Sequence, residues 1–186
     1  MNIKEIANNI DERKEDYKIG ELQNYRVQIK DLKKASTYNI FSKRSIKNTY
    51  AFHSGGRKEF QVNIGYEKNR EQFRTGFAFS LETSMSLQEP VKVFEPKIRD
   101  FNKYLDDNYD DFSDLMMFYH DDEFNRSSNV SIGSIPDNLI DKGMFIFIGK
   151  FINKKPDEKL TEKEYKKVMN LLDRMFEIYL YVEKNN

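Results

Sequence analysis

The chain contains no cysteine and no tryptophan, and it has only two histidines, His53 and His120. The absence of cysteine excludes disulfide bridges, thiolate nucleophiles and zinc sites built on cysteine, and it predicts a protein of the reducing cytoplasm. Sites that need several imidazole ligands or bases are not expected either. The sequence is therefore poor in the residues that most often carry metal and nucleophilic chemistry.

Long apolar runs are also missing. No segment reaches the roughly 20 apolar residues that a membrane-spanning helix needs. The N-terminal stretch MNIKEIANNIDERKEDYK lacks the apolar core of a signal peptide. We therefore expect a soluble cytoplasmic protein without a membrane partner. Its 186 residues, 38% of them apolar, are enough for a single domain, residues 1–186, with its own core.

The formal net charge is zero, but the charges are unevenly distributed. Residues 18–80 carry 13 Lys and Arg against 5 Asp and Glu, whereas residues 81–142 carry 6 against 14. Such polarity can create a basic face that attracts phosphates, or it can let the two halves attract each other within one fold. The sequence leaves both interpretations open.

Apolar and polar residues alternate over residues 59–66 and 73–82, which predicts two strands paired as an antiparallel hairpin. A run that is apolar on both faces, residues 144–151, predicts a strand inside the same sheet. Residues 120–136 are polar and without periodicity, and we expect a loop that is mobile or poorly packed.

Helical spacing of apolar residues predicts helices in the first 35 residues, after Pro90, over residues 111–119 and after Thr161. Residues 1–17 are interpreted as a helical extension that precedes the rest of the domain. The order of elements predicts an α+β fold with a mainly antiparallel sheet flanked by helices.

The motifs of common enzyme classes are missing, including G-x-S-x-G, the P-loop and G-x-G-x-x-G. The letters of a magnesium nuclease, Glu-x-Lys, occur at residues 95–97, but there they coincide with a predicted helix start. Residues 120–123, HDDE, could bind a metal only if His53 joined them, and a solvated acidic loop is the alternative. No enzyme activity, metal or cofactor is expected of this chain alone.

The predicted hairpin and the turn before it carry polar side chains of the kinds that pair with base edges and phosphates: His53, Arg57, Lys58, Gln61, Asn63 and Arg74. An ordinary solvent-exposed sheet face would look the same. The aromatic residues that fall outside the core periodicities, Tyr38, Phe41 and Tyr50, are candidates for stacking on bases.

Five segments together resemble a domain of bacterial restriction proteins: YAFHSGGRKEFQVNIGYE, FRTGFAFSLETSMSL, PKIRDFNKYL, KGMFIFIGKFI and LLDRMFEIYLYVE. In those proteins the domain lies N-terminal to an HNH nuclease or an McrB-like motor, and it recognises the DNA target, modified or unmodified. The similarity covers about residues 15–184. It implies two partners for this chain, double-stranded DNA and a nuclease or motor domain or subunit as the effector.

The resemblance gives the glycine turn a function. Gly55 and Gly56 would let the backbone approach a phosphate closely. Arg57 and Lys58 would hold the strand edge to the DNA, and His53 would reach a groove or a flipped base.

The loop after the second strand of the hairpin would add a second contact through the hydroxyls of Thr83, Ser84 and Ser86. The resulting expectation is a DNA-binding specificity module of a bacterial restriction or defence system, which can read modified DNA. The alternatives are a protein-interaction or regulatory module that uses acidic residues 100–123 and, less favoured, a metal-dependent nuclease built on residues 120–123.

Overall fold

The computed structural model describes residues 2–67, 71–85, 87–121, 123, 125–142, 144–184 and 186. The helices in these ranges are α1 (Ile3–Arg13), α2 (Leu22–Ile29), α3 (Pro90–Asp107), α4 (Tyr109–Phe112), α5 (Asp137–Lys142) and α6 (Glu162–Lys184). The strands are β1 (Tyr50–Phe52), β2 (Gln61–Glu67), β3 (Gln72–Ser80), β4 (Met116–His120), β5 (Val130–Ser131) and β6 (Phe145–Asn153). All these strands form one antiparallel sheet, so the predicted α+β fold is confirmed.

The strand order of the sheet is β1-β2-β3-β6-β4-β5. β2 and β3 pair from Gln61 opposite Ala78 to Glu67 opposite Gln72, which confirms the predicted hairpin. β6 lies between β3 and β4, which confirms that the apolar strand is interior.

Helices α3 and α6 cover one side of the sheet, which we call the helix-covered face. The apolar members of the alternating pattern, such as Val62, Ile64 and Phe77, lie on this side and are fully buried. Each such side chain stabilises the fold by about 1.5–3 kcal/mol. They pack against the apolar stripe of α6, whose buried members include Val168, Leu172, Met175, Phe176 and Tyr179.

The opposite side of the sheet, which we call the open face, carries a second and smaller apolar cluster. It consists of Ala78, Phe118, Phe145 and Phe147, with Phe151 packed against it. Arg126, from the connection between β4 and β5, lies over this cluster with its guanidinium 3.7 Å from the centroid of the Phe118 ring. Polar residues of β2 and β3 occupy the part of the open face nearer to β1.

The helix predicted over residues 111–119 is wrong, because α4 ends at Phe112 and the chain then forms β4. Met117 belongs to the cluster on the helix-covered face and Phe118 to the cluster on the open face. A strand buried on both sides shows no alternation of apolar and polar residues, so its sequence also fits a helix.

The expectation of a poorly packed segment at residues 120–136 is wrong for part of it, and its mobility stays a prediction. Ile132 and Ile135 are buried in the main core, and the Asp121 carboxylate accepts from the Asn125 backbone N–H at 2.7 Å. The remaining positions of that segment, 122 and 124, lie outside the described residues.

Helix α1, within the expected N-terminal extension, buries Ile3, Ile6 and Ile10 in the same core as the sheet. It begins with a capping box in which Asn2 and Glu5 exchange side-chain and backbone hydrogen bonds. None of the helices in the described ranges is both long and apolar enough to span a membrane.

Candidate functional site

The turn between β1 and β2 is tied to the helix-covered side by a buried network around Glu59. The Glu59 carboxylate accepts from the Arg26 guanidinium at 2.8–3.1 Å and from the Tyr179 hydroxyl at 2.8 Å. Burial alone would raise the pKa of Glu59, but hydrogen bonds from His53 and Arg26 outweigh it and hold the pKa well below its usual range. Glu59 is therefore an ionised anchor for the turn.

His53 is fully buried, so the expectation that it reaches a groove or a flipped base is wrong. Its Nδ1 accepts the Val62 backbone N–H at 3.0 Å, which leaves the ring proton on Nε2, 3.1 Å from the Glu59 carboxylate. Burial lowers the pKa of His53, and the ring is neutral at neutral pH. The imidazole joins the turn to β2 and to Glu59.

The same network explains the glycine pair. Gly55 has a φ of 82°, and a Cβ at this position would lie 2.4 Å from a guanidinium nitrogen of Arg26. A Cβ on Gly56 would lie 2.3 Å from Nε2 of His53. Glycine therefore lets the turn close over these two side chains. The approach of this backbone to a phosphate stays a prediction.

A pocket of about 230 Å³ opens on the open face near β1. Its lining residues are Thr49, Tyr50, Phe52, Arg57, Gln61, Asn63, Arg74, Ser80, Glu82, His120 and Phe145. Five strands contribute to it, β1, β2, β3, β4 and β6. The structure therefore brings four of the predicted contact residues, Arg57, Gln61, Asn63 and Arg74, into one site.

Three polar residues of β2 and β3 line the pocket: Gln61, Asn63 and Arg74. Gln61 and Asn63 are each only 2% exposed, so they line a recess and do not stand on an open surface as expected. The Gln61 amide has no hydrogen-bond partner among the described residues, and it is therefore available to a ligand.

Arg74 lies in the pocket lining, where its side chain makes a hydrogen bond and an ion pair. Its Nε donates to Asn63 Oδ1 at 3.3 Å, and its guanidinium pairs with the Glu67 carboxylate. The charge also lies 5.5 Å from the ring centroids of Phe145 and Phe147. These contacts preorganise a cation beside the Asn63 amide.

Arg57 and Glu82 lie at the rim of the pocket. An Arg57 guanidinium nitrogen is 3.4 Å from Glu82 Oε2 and 3.4 Å from the Ser80 hydroxyl. The two charged side chains are 32% and 38% exposed, so the pair is weak and its cation can exchange the carboxylate for another anion.

The other predicted contact residues lie outside the pocket lining. Lys58 is exposed, and its backbone carbonyl accepts from Lys97 Nζ at 2.7 Å. Thr83 is exposed on the loop after β3, and the Ser84 backbone pairs with that of Leu87. Ser86 lies outside the described residues. A role in DNA binding for these four positions stays a prediction.

Six members of the pocket were not among the predicted contact residues: Thr49, Phe52, Ser80, Glu82, His120 and Phe145. Ser80 is on the same side of β3 as Arg74, so the alternation of side chains along β3 could have predicted that Ser80 lies in the site. His120 and Phe145 face each other across β4 and β6, a pairing that depends on the sheet order. Burial lowers the pKa of His120, with Arg74 contributing, and the pocket contains a neutral imidazole at neutral pH.

A segment rich in cations, residues 32–58, which we call the basic edge, includes β1, whose Tyr50 and Phe52 line the pocket. Residues 32–58 contain seven Lys and Arg and no Asp or Glu. The exposed cations of this segment are Lys33, Lys34, Lys43, Arg44, Lys47 and Lys58. None of the six forms an ion pair within the described part of the chain, so their charges are available to a polyanion.

The basic edge reaches the pocket through β1, the edge strand of the sheet. A groove of about 460 Å³, lined by Lys43, Arg44 and the hydroxyl residues Ser36 and Thr37, shares Phe52 with the pocket. A wider groove of about 920 Å³ continues past Lys43 and Lys47 toward the start of α1. Lysine, arginine and hydroxyl groups are the usual contacts to phosphate oxygens.

The two charged halves of the chain do not neutralise each other. Among the described residues, only Arg57 and Glu82 join a cation of residues 18–80 to a carboxylate of residues 81–142. Asp114, in the acidic half, instead pairs with Lys150 and Arg174 of the C-terminal part. Of the two interpretations of the charge pattern, the arrangement favours the exposed basic face.

Two of the three aromatic residues named as stacking candidates are accessible. Tyr38 is 70% exposed within the basic edge, and Tyr50 is partly exposed at the pocket wall. Phe41 is buried in the core, so the expectation for it is wrong.

The metal site that required His53 beside residues 120–123 does not form, because His53 and His120 lie on opposite sides of the sheet. No group of three or more His, Asp or Glu side chains in the described ranges is arranged to hold an ion. Asp122, one of the proposed ligands, lies outside those ranges.

No family model, curated protein or solved structure matches this chain. The pocket and the basic edge must therefore be interpreted from their own geometry. The pocket offers hydrogen-bond donors from guanidinium, amide and hydroxyl groups, and acceptors from amide and carboxylate oxygens. This set suits recognition of a ligand by hydrogen bonds.

Proposed function

We propose that this chain is a DNA-recognition module that binds duplex phosphates along the basic edge and takes one base into the pocket on the open face. The observation that carries the proposal is a groove lined by Lys43 and Arg44, exposed cations without ion-pair partners among the described residues, which shares Phe52 with a recess that contains free hydrogen-bonding groups. The resemblance to recognition domains of bacterial restriction proteins points to the same function, with the effector on another domain or subunit.

The size of the pocket supports the insertion of a base. Sites that enclose a whole small molecule usually measure about 300–1,000 Å³. A recess of about 230 Å³ fits one group of a larger ligand. A base extruded from a duplex is such a group, and it is read by hydrogen bonds to its edge and by contact with aromatic rings. Gln61 and Arg57 provide the hydrogen bonds to the base edge, and Phe52 provides the aromatic ring.

The test is a titration of labelled random-sequence duplex at about 50 and 200 mM salt, followed by fluorescence anisotropy. We expect the triple variant Lys43→Gln/Arg44→Gln/Lys47→Gln to bind more weakly. Its plot of log affinity against log salt should be flatter by about 0.9 for each phosphate that the variant no longer neutralises. A methylated duplex in the same titration shows whether the module requires modification.

The matched control is Lys159→Gln/Lys163→Gln/Lys166→Gln, which changes the charge equally at three exposed lysines outside the basic edge. We expect the control to bind like the wild type. Absence of binding even at low salt would contradict the proposal and favour a protein partner for acidic residues 100–123. Cleavage that depends on a divalent metal would instead restore the nuclease alternative.

A further inference from the structure

A groove of about 500 Å³ lies between β3, β6 and α6, away from the pocket on the open face. Its wall includes Thr75 and Lys150, which face each other across β3 and β6, and Val168 and Leu171 on α6. The volume is in the range of sites that hold small organic molecules.

The wall of this groove contains two buried polar atoms that have no partner among the described residues. Thr75 is 1% exposed, and its hydroxyl makes no hydrogen bond with the described residues. The buried Nε of Arg174 makes no hydrogen bond with them either. Most buried polar atoms in folded proteins are paired, because leaving one unpaired costs stability. The Arg174 Nε can only donate, and the Thr75 hydroxyl can donate or accept, so an acceptor is the one kind of partner that suits both atoms.

The charges around the groove favour an acceptor that is negatively charged. Three cations line it, Lys150, Lys167 and Arg174, against the lining carboxylate Glu164 and the neighbouring Asp114, which leaves one positive charge in excess. Asp114 pairs with both Lys150 and Arg174 and so holds these cations in place at the groove. The remaining wall is apolar and includes Val168 and Leu171.

We infer that this groove binds a small organic anion with a short apolar chain. A carboxylate or phosphate head would accept hydrogen bonds from the Thr75 hydroxyl and the Arg174 guanidinium. Its chain would lie on Val168 and Leu171. The groove shares no lining residue with the pocket on the open face.

The test measures binding of hexanoate and of hexyl phosphate to the whole chain by calorimetry, with hexanol and hexylammonium as controls. We expect saturable binding of at least one anion, and the tighter one identifies the head group. Hexanol that binds as tightly as both anions would overturn the inference, because the apolar chain alone would then explain binding. No saturable binding of either anion would overturn it as well.

Thr75→Val is the decisive variant, because valine keeps the shape of threonine and removes the unpaired hydroxyl. We expect it to raise the midpoint of thermal unfolding and to weaken anion binding by about tenfold or more. A variant that is more stable but binds the anion as tightly as the wild type would contradict the inference.

A second comparison uses two neighbouring lysines of α6. Lys167→Ala should weaken anion binding severalfold, because Lys167 lines the groove. Lys166→Ala should leave binding unchanged, because Lys166 is exposed outside the groove. Equal effects of the two changes would contradict the inference, because general charge attraction would then explain binding.

Discussion

Arg57 and Glu59 are two residues apart in the same turn, yet each belongs to a different arginine–glutamate pair on a different side of the sheet. Arg26 and Glu59 are buried and joined by several hydrogen bonds of 2.8–3.1 Å. Arg57 and Glu82 are partly exposed and 3.4 Å apart. Removing one partner of a buried pair leaves a charge without compensation, whereas an exposed pair contributes little. The buried pair therefore holds the fold, and the exposed pair is available for recognition.

The largest expected effect comes from breaking the buried pair. Glu59→Gln removes the charge that compensates Arg26 and should lower the free energy of unfolding by about 3–5 kcal/mol. Glu82→Gln makes the same chemical change in the exposed pair and should cost less than about 1 kcal/mol. Urea denaturation of both variants measures the difference. Equal losses would mean that the two pairs do not differ in the way described.

The glycine turn should be nearly as sensitive. Gly56→Ala places a Cβ against the buried His53 ring and should destabilise the protein by about 1–3 kcal/mol. The control is Gly133→Ala, because a Cβ at Gly133 has no atom within 4 Å in the described structure. The control should change stability by less than about 0.5 kcal/mol. If Gly56→Ala is as mild as the control, the turn is not closed over His53.

The pH dependence of stability tests whether the histidines are neutral in the fold. The pKa values of His53 and His120 are lowered from 6.5, so their stabilising contribution is complete above that pH and is lost below it. Each group can contribute a slope of up to about 1.4 kcal/mol per pH unit.

Burial raises the pKa of Asp11 to about 6. The contribution of protonated Asp11 to stability is lost as the pH rises through 6. Below pH 6, Asp11 therefore stabilises the fold while the histidines destabilise it. Urea denaturation between pH 7.5 and 5.5 should therefore show falling stability, with a steeper fall in Asp11→Asn. Stability that rises as the pH falls from 7.5 to 6.5 would contradict this assignment.

Much of the sheet can be predicted from local patterns, because β2, β3 and β6 show their alternation or their apolar run directly in the sequence. β4 cannot, since apolar contacts on both of its sides remove the alternation. The role of His53 is also hidden, because its partners Glu59 and Tyr179 become neighbours only in the folded chain. The polar residues of the pocket can be predicted from the alternation of side chains along β2 and β3. The walls that make the pocket a recess come from β1, β4 and β6, and their positions depend on the folded sheet.

The pocket itself is tested by Gln61→Met, which replaces a free amide by an apolar side chain of similar length. We expect stability to change by less than about 1.5 kcal/mol, because the substitution nearly conserves volume and removes no hydrogen bond within the described residues. Affinity for the preferred duplex should fall by about 1–3 kcal/mol if the amide reads a base edge. Binding that is unchanged on every duplex would exclude Gln61 from recognition.

Arg57→Ala tests the division between folding and recognition most directly, with DNA affinity and the free energy of unfolding measured on the same samples. We expect stability to change by less than about 1 kcal/mol. If Arg57 contacts a phosphate, all duplexes should lose affinity alike and the salt dependence should be flatter by about one unit. If it reads a base, the loss should be about 1–3 kcal/mol on the preferred duplex only. Lower stability with unchanged DNA affinity would contradict this division, because Arg57 would then serve the fold through Glu82.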